Sequence, residues 1–424
     1  MIQELKIKNF LSFKEEVIFS FEATNDKTLD DYYVKEVVPG VRLLKMAMVY
    51  GANASGKSNL IKAFDFINYI VFSIADSKEE EINFHPFAFD NTINEAGEFE
   101  LIFYTEGIKH IYSLIVDAEN IYKEKLVYYP STQPAIIFER VLNKNTSVIE
   151  FGNKIEISKV ATEEISVKTL KNISVFAAYS QVNVSIPEIE RVYEWFQEQF
   201  SSSINPYTSL TEYSDKQIQK DAEIKEQALK FIREADFNIS DISFEEEIKP
   251  IDDIMLKMIE TSPIPSKEKK KIIKEKAFHI EKTIFEHHIV KNGKDEFYKL
   301  PEERQSQGTI RYYGLSAPFF NTIKNNAFLA IDEIGSALHP LLVLHFITEF
   351  LKKSDSAQLL FTTHNMSLLN EKDILRRDAI WFTNKNEDGS TELSSVADYP
   401  EFRKELSYYN YYKQGKFGAI PKLD

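Results

Sequence analysis

The sequence predicts an α/β fold with a mixed β-sheet core, an antiparallel β subdomain and a helical insertion, and three observations support this. Short apolar strands alternate with helical segments in the C-terminal part, which is typical of a parallel sheet covered by helices. Alternating apolar residues from about Glu98 to Ile157 favour antiparallel strands. Residues 187–277 follow a mainly helical pattern. The predicted domains are the first half of the core (1–185), the helical insertion (186–277) and the second half of the core (278–424).

Length and composition limit the classes of protein to which the chain can belong. With 424 residues, 43% of them apolar, it can bury a large core. The formal net charge of -15 repels polyanions, so binding to nucleic acid would need a local basic patch. Cysteine is absent, which excludes disulfides and thiolate metal sites and fits a reducing cytoplasm. Since we find neither a signal peptide nor an apolar run of about 20 residues, we expect a cytoplasmic protein without membrane spans.

The strongest local signal is a glycine-rich turn between an apolar run, Leu43–Tyr50, and a predicted helix, Asn59–Ala75. Residues 51–58 fit the phosphate-binding loop pattern G-x-x-x-x-G-K-[ST]. The glycines let backbone N–H groups face the phosphates, and the following helix presents its positive end. Lys57 is expected to reach the β- and γ-phosphates of ATP, and the Ser58 hydroxyl to bind Mg²⁺. The predicted nucleotide-binding residues of this turn are Gly51, Asn53, Ala54, Ser55, Gly56, Lys57, Ser58 and Asn59.

Two carboxylates and a histidine follow later strands of the same predicted sheet. The apolar run Phe328–Ile331 ends in Asp332 and Glu333, and the run Leu359–Thr363 is followed by His364. Ligands bind at the carboxyl ends of parallel strands, so these side chains are expected at one edge of the sheet. Asp332 is predicted to lie near Mg²⁺, and Glu333 to orient or deprotonate the attacking water. His364 is the second predicted catalytic residue.

A small polar turn before another helical stretch is the fourth candidate element. Ser306-Gln307-Gly308-Thr309 precedes apolar residues in a helical rhythm. A Ser-x-Gly sequence at a helix start can bind an anion through free N–H groups and the hydroxyl. Taken alone, an ordinary helix cap explains this turn better. Together with the phosphate-binding loop, it makes Ser306 and Gly308 predicted nucleotide contacts.

In this order, the four elements resemble the motifs of ABC-type ATPases, which implies the fold of an ABC-type ATPase head. The chain resembles the soluble branch that includes the SMC and Rad50 repair proteins and the overcoming-lysogenization-defect ATPases. Within that branch it is most similar to the AAA15-type ATPases of bacterial abortive-infection and phage-defence operons. Three segments carry this closer resemblance: Ile7–Phe13, Ile331–Pro340 and Gly415–Pro421.

The resemblance implies that two copies bind ATP between them, head to tail. Ser306 and Gly308 then correspond to the signature motif, which contacts the γ-phosphate held by the other copy. Residues Ser336–His339 correspond to the D-loop at the interface. ATP would join the copies into a dimer or a higher oligomer, and hydrolysis would let them separate. The sequence departs from the family pattern in having Ser-Gln-Gly-Thr as its signature and no convincing Q-loop glutamine before the insertion.

We therefore expect an ATP-hydrolysing sensor or regulatory subunit of a prokaryotic anti-phage system. No nuclease motif is evident, so the effector is expected to be a separate protein such as a nuclease or a toxin. An alternative is a Rad50-like DNA repair or recombination ATPase that binds DNA through the basic run Lys267–Lys276, although a solvated helix face explains that run better. A third hypothesis is an ATP-locked scaffold with little turnover. A metal site at His287 and His288 is not expected, because neighbours on a strand face opposite sides.

Overall fold

The computed structural model describes residues 1–235, 238–262, 266–402 and 406–421, without the side chains of residues 266–268. The chain divides into two compact units, Met1–Thr208 with Asn321–Asp424, and Ser209–Phe320. The side chain of Lys267, at the start of the basic run, lies outside the described part. Within the described ranges, no helix has the length and apolar character needed to cross a bilayer.

The secondary-structure elements are numbered along the chain. The strands are β1 (Ile2–Lys8), β2 (Val17–Ser20), β3 (Val34–Val38), β4 (Val41–Leu44), β5 (Met46–Gly51), β6 (Gly97–Thr105), β7 (Ile108–Val116), β8 (Ile121–Tyr129), β9 (Ala135–Asn143), β10 (Thr146–Phe151), β11 (Ile239–Pro250), β12 (Ala277–Lys291), β13 (Lys294–Pro301), β14 (Phe328–Ile331), β15 (Gln358–Thr362), β16 (Ile380–Lys385) and β17 (Thr391–Ser395). The helices are α1 (Asp30–Tyr33), α2 (Lys57–Phe72), α3 (Lys159–Lys168), α4 (Val175–Tyr179), α5 (Pro187–Gln199), α6 (Thr211–Lys220), α7 (Ala222–Glu234), α8 (Asp253–Thr261), α9 (Ser266–Glu275), α10 (Gln307–Lys324), α11 (Pro340–Lys353) and α12 (Tyr408–Lys413).

The first unit contains a five-stranded sheet of order β14-β15-β5-β16-β17. Its first four strands run parallel, and β17 pairs antiparallel with β16 at the edge. Every residue of β5, β14 and β15 is buried, as is usual where helical crossovers cover both faces of a parallel sheet. Strands of this kind have continuous apolar sequences rather than alternating ones. The parallel sheet predicted from the apolar runs at 328–332, 359–363 and 379–383 is confirmed.

The same unit contains a seven-stranded antiparallel sheet of order β10-β9-β8-β7-β6-β1-β2. Strands β6 to β10 cover the region in which the sequence predicts antiparallel strands, so that prediction is confirmed. The buried amide of Gln358 in β15 bonds to both backbone groups of Ile2 and to the carbonyl of Leu44. This side chain connects the first strand of the chain to the parallel sheet.

The second unit contains α6 to α9, most of α10 and a three-stranded antiparallel sheet of order β11-β12-β13. It differs from the helical insertion predicted at 186–277 in both boundaries and in its strands. Helix α5 belongs to the first unit, where the ring of Trp195 stacks on Phe103 with centroids 4.1 Å apart. Strand β12 pairs with β11 from Ala277 to His287. Residues beyond 277 therefore fold with the insertion rather than with the second half of the core.

A buried histidine lies within the antiparallel sheet. His110 in β7 is fully buried and stacks on Phe103 and Tyr128, with ring centroids 5.3 and 6.3 Å away. Its Nδ1 lies 3.0 Å from the carbonyl oxygen of Ile108, which places the proton on Nδ1. Its Nε2 has no hydrogen-bond partner among the described residues. Burial lowers the pKa of His110 to about 4, because a charged ring there would lose its water.

We predict that His110 makes the fold sensitive to acid. Its ordinary pKa of 6.5 lies above the folded value of about 4, so between these pH values the unfolded chain binds more protons. Stability contributed by the neutral ring is therefore present above the unfolded pKa and is lost as the pH falls through the folded pKa. Replacing His110 by Phe, which keeps the stacking, should remove up to about 3 kcal/mol of the acid-induced loss in unfolding free energy, at about 1.4 kcal/mol per pKa unit.

Denaturant titrations from neutral pH down to about pH 4 measure this difference. The exposed His85 provides the matched control, and the decrease in acid sensitivity should be larger in His110→Phe than in His85→Phe. Equal acid sensitivity of wild type and His110→Phe would contradict the prediction.

Candidate active site

A glycine-rich loop joins β5 to α2. Gly51 ends β5, and Gly56 precedes α2 with a φ of 108°. A Cβ on Gly51 would overlap the hydroxyl of Thr383, and a Cβ on Gly56 would overlap the side chain of Thr391. Ala54 in the loop has a left-handed φ of 59°. The side chains of β16 and β17 therefore lie too close to the loop for any residue but glycine at positions 51 and 56. The positive φ of Gly56 also favours glycine, because other residues rarely adopt this conformation.

The loop leads into the positive end of α2. Helix geometry leaves the first N–H groups of α2 without carbonyl partners one turn earlier, so they are available to an anion. The side chain of Lys57 is only 5% exposed, and its Nζ donates to the carbonyls of Gly51 at 3.0 Å and Ala52 at 3.1 Å. Burial lowers the pKa of the Lys57 ammonium, while the nearby carboxylate of Glu333 acts in the opposite direction. The loop can thus hold a negatively charged group between N–H donors and an ammonium.

Two neighbouring carboxylates follow β14. The hydroxyl of Thr362, at the end of β15, donates to Asp332 Oδ1 at 2.6 Å and accepts the N–H of Glu333 at 2.8 Å. Glu333 has a φ of 50°, a left-handed conformation that costs a non-glycine residue about 1 kcal/mol or more. In this conformation Glu333 Oε1 lies 2.9 Å from His364 Nε2 and 3.9 Å from Lys57 Nζ. The bonds to Thr362 stabilise an arrangement that brings the carboxylate to the loop.

His364 lies between the lysine and the carboxylate. Its Nε2 is 3.2 Å from Lys57 Nζ and 2.9 Å from Glu333 Oε1. A ring nitrogen either carries a proton or offers a lone pair, so Nε2 serves one of these partners at a time. With a proton on Nε2, His364 donates to Glu333, and without it the ring accepts from Lys57. The side chain is 43% exposed, which leaves room for contact with a ligand on the loop.

Most of the predicted site residues lie in the first unit, at the carboxyl edge of β5, β14 and β15. Asn53 and Ala54 are exposed in the loop, whereas Ser58 and Asn59 are half-buried in the first turn of α2. The predicted magnesium ligands Ser58 and Asp332 offer the hydroxyl and carboxylate oxygens that Mg²⁺ prefers, and Mg²⁺ generally needs few protein ligands beside water and phosphate.

The other predicted nucleotide contacts, Ser306 and Gly308, belong to the second unit. Ser306 Oγ accepts the N–H of Thr309 at 3.1 Å and so caps α10. In the same unit His287 Nε2 lies 3.0 Å from Gln305 Oε1, and the described residues contain no cluster of three metal-binding side chains.

Several residues that contact the loop or its neighbours are not predicted from the sequence. Thr362 ends an apolar strand, and a polar residue at that position is a signal of a site residue that the sequence does contain. Ser12 and Thr391, by contrast, contact each other although they lie 379 residues apart in the chain, which no local pattern reveals. An extended segment also runs beside β14, since the Ile204 N–H donates to the Ala330 carbonyl at 2.9 Å and the Asp332 N–H to the Ile204 carbonyl at 2.7 Å. This segment ends next to the carboxylates.

Part of the chain matches a known protein family. Residues 46–370 match the family described as "AAA domain, putative AbiEii toxin, Type IV TA system". No curated protein matches the chain.

Similar solved structures include several SMC heads. The SMC head domain from Thermotoga maritima is 15% identical, with a TM-score of 0.40, over 93% of this chain and 98% of that chain. An SmcHead bound to the C-winged helix domain of ScpA is 13% identical, with a TM-score of 0.40, over 93% and 97%. An Smc head domain with an extended coiled coil bound to the C-terminal domain of ScpA, derived from Pyrococcus furiosus, is 13% identical with a TM-score of 0.33 over 98% of both chains.

Proposed function

The chain belongs to this AAA-domain family and has the fold of an ABC-type ATPase head, and on that premise we propose that it binds ATP with Mg²⁺ and hydrolyses it to ADP and phosphate. The observation that carries the proposal is the position of the Glu333 carboxylate. It lies 2.9 Å from His364 and 3.9 Å from Lys57, beside a loop that can bind phosphate. A lysine, a carboxylate and a histidine are thus grouped where the γ-phosphate would be held.

Each group then has one task in hydrolysis. The loop N–H groups and Lys57 bind the β- and γ-phosphates. Glu333 orients a water molecule and accepts its proton, while the water oxygen bonds to the γ-phosphorus and the bond from that phosphorus to the ADP oxygen breaks. His364 holds the Glu333 carboxylate through its Nε2 proton. Ser58 and Asp332 would hold Mg²⁺, which would supply positive charge that lowers the repulsion between phosphate and nucleophile.

The first prediction from this mechanism separates binding from hydrolysis. Glu333→Gln removes the proton acceptor, so phosphate release should fall by about a hundredfold or more, in the range typical for loss of a general base. ATP affinity should change by less than about threefold, because the loop and Lys57 remain. Lys57→Ala, in contrast, should lose ATP binding itself.

Phosphate release and ATP titration measure the two effects, with the exposed Glu119→Gln as the matched control. If wild type and Glu333→Gln hydrolyse ATP equally slowly while binding it normally, the ATP-locked scaffold is the better description.

We further propose that two copies share each nucleotide, head to tail, as the resemblance to ABC-type ATPases implies. Ser306 stands at the start of α10, an 18-residue helix whose first N–H groups can bind an anion. In the proposed dimer these groups and Ser306 contact the γ-phosphate on the loop of the other copy. ATP then stabilises the dimer because neither half-site surrounds the triphosphate alone.

A mixing experiment tests the shared site. Lys57→Ala disables the loop and Ser306→Arg disables the signature, so each variant alone should be inactive. In a mixed dimer, one site combines the intact loop of one copy with the intact signature of the other. If the copies assemble at random, half of the dimers are mixed and one of their two sites is intact, so about one quarter of wild-type activity should return.

Phosphate release from the separate and mixed variants provides the measurement, and circular dichroism confirms that each variant is folded. No activity after mixing would indicate that loop and signature do not act across two copies.

The biological role that we propose is that of a sensor or regulatory subunit in an anti-phage system of the abortive-infection kind. The family description names a toxin system, and the resemblance to AAA15-type ATPases supports the same role. A separately encoded nuclease or toxin would act as the effector. Purification of Glu333→Gln with ATP from cells that contain the native operon tests this, and a protein that copurifies only with ATP would support it.

The contacts of the run Lys267–Lys276 give little support to the alternative that this run binds DNA. Lys269 Nζ donates to the carbonyls of Glu260 at 3.0 Å and Ser262 at 2.6 Å, so this lysine joins α9 to the end of α8. Lys270, Lys271 and Lys274 are exposed. Exposed lysines on one helix turn are common on solvated surfaces, and we keep DNA binding as the secondary hypothesis.

A further inference from the structure

Three side chains form a continuous set of hydrogen bonds behind the phosphate-binding loop. Asn59 Nδ2, in the first turn of α2, lies 2.7 Å from Ser12 Oγ, in the turn after β1. Ser12 Oγ lies 2.7 Å from Thr391 Oγ1, at the start of β17. Thr391 Oγ1 lies 2.8 Å from the carbonyl oxygen of Ser55 in the loop. We refer to this set as the hydroxyl relay.

The direction of each bond in the hydroxyl relay follows from which atoms are placed to donate. The Asn59 amide nitrogen donates to Ser12 Oγ, and Thr391 Oγ1 is placed to donate both to Ser12 Oγ and to the Ser55 carbonyl. A hydroxyl has a single proton, so the Thr391 proton is shared between these two acceptors, and Ser12 competes with the loop for it.

The surroundings of Thr391 leave its side chain little freedom. The residue is 4% exposed, and its backbone N–H donates to the Ser12 carbonyl at 2.7 Å. Its hydroxyl and methyl groups occupy the space that a Cβ on Gly56 would need. On the same side of the loop, Ser55 Oγ lies 2.6 Å from Thr383 Oγ1 of β16. The hairpin of β16 and β17 thus forms the outer wall of the loop.

The planar peptide bond between Ser55 and Gly56 links the orientation of the Ser55 carbonyl to that of the Gly56 N–H. The Ser55 carbonyl and the Gly56 N–H belong to one trans peptide unit, so they point in opposite directions. A bond that holds the Ser55 carbonyl towards Thr391 therefore directs the Gly56 N–H away from Thr391. In a phosphate-binding loop of this pattern, N–H groups on that side bind the nucleotide.

We propose that Thr391 is a positioning residue for the nucleotide, acting through the Ser55–Gly56 peptide unit. This inference rests on the proposed ATP binding at the same loop. Thr391 touches no substrate atom. It keeps one N–H donor of the loop in the orientation that binds phosphate, and Ser12 Oγ is the second acceptor of the Thr391 proton.

The test compares variants that differ by one group. Thr391→Val keeps the shape and removes the hydroxyl, so ATP affinity should weaken about tenfold, the effect of one lost hydrogen bond to a charged group. The KM for ATP should rise by a similar factor while kcat stays within about twofold, because ground state and transition state lose the same contact. Thr391→Ser keeps the hydroxyl and should restore the wild-type affinity.

The relay also predicts an order of effects. Ser12→Ala removes the second acceptor of the Thr391 proton and leaves the Ser55 carbonyl as its target, so the affinity for ATP should not fall below that of the wild type. The double variant should bind ATP as the Thr391→Val variant does, because the contribution of Ser12 passes through Thr391. Glu392→Gln, on the neighbouring exposed position of β17, is the control and should bind ATP normally.

Amide hydrogen exchange across residues 51–58 without nucleotide provides a second readout. Thr391→Val should exchange faster there, and Thr391→Ser should not. Unchanged ATP affinity and unchanged exchange in Thr391→Val would overturn the proposal, as would failure of Thr391→Ser to restore both. If wild type bound no ATP while Thr391→Val still accelerated exchange, the proposed ATP binding would be wrong and the positioning role of Thr391 on the loop would stand.

Discussion

The buried ammonium of Lys57 is the constraint on which the rest of the site depends. A lysine that is 5% exposed loses most of its hydration, and two loop carbonyls together with the Glu333 carboxylate offset that loss. The carbonyls come from the end of β5, and the carboxylate follows β14. These groups meet only because β5, β15 and β14 are parallel neighbours whose carboxyl ends lie at one edge. The order of strands in the sheet therefore decides the electrostatics of the site.

The parts of this site that the sequence predicts are those written within a few neighbouring residues. Residues 51–58 carry the spacing that a phosphate-binding loop needs, and buried parallel strands leave continuous apolar runs before Asp332 and His364. The left-handed conformation of Glu333 and its support by Thr362 depend on the register of β14 against β15, which no local pattern states. Contacts of Ser12 with Thr391 depend on even more distant segments. The reacting groups can therefore be predicted from local sequence, whereas the groups that hold them in place cannot.

In the second unit, the boundaries and strand β11 differ from what the local sequence pattern predicts. Strand β11 has few buried residues, and its second half contains three consecutive glutamates paired with β12. Such a strand lacks the apolar alternation by which strands are recognised, so the sequence predicts a helical insertion for this region. The sequence places helix α5 in that insertion because its apolar stripe follows a helical period. The stripe in fact packs on the antiparallel sheet, where Trp195 stacks on Phe103. Periodicity identifies a buried face but not the surface that buries it.

The outer wall of the loop is built from neutral hydroxyls, and the electrostatics of Lys57 give a reason. A lysine or arginine at position 391 could also bind the Ser55 carbonyl, but a second buried cation near the loop would lower the pKa of Lys57 beyond the shift that burial already causes. An ammonium also has three protons and can turn between several acceptors. A threonine hydroxyl has one proton, which Ser12 Oγ and the Ser55 carbonyl are placed to accept. Neutral groups can thus orient the loop backbone without competing with the one charge that the phosphate needs.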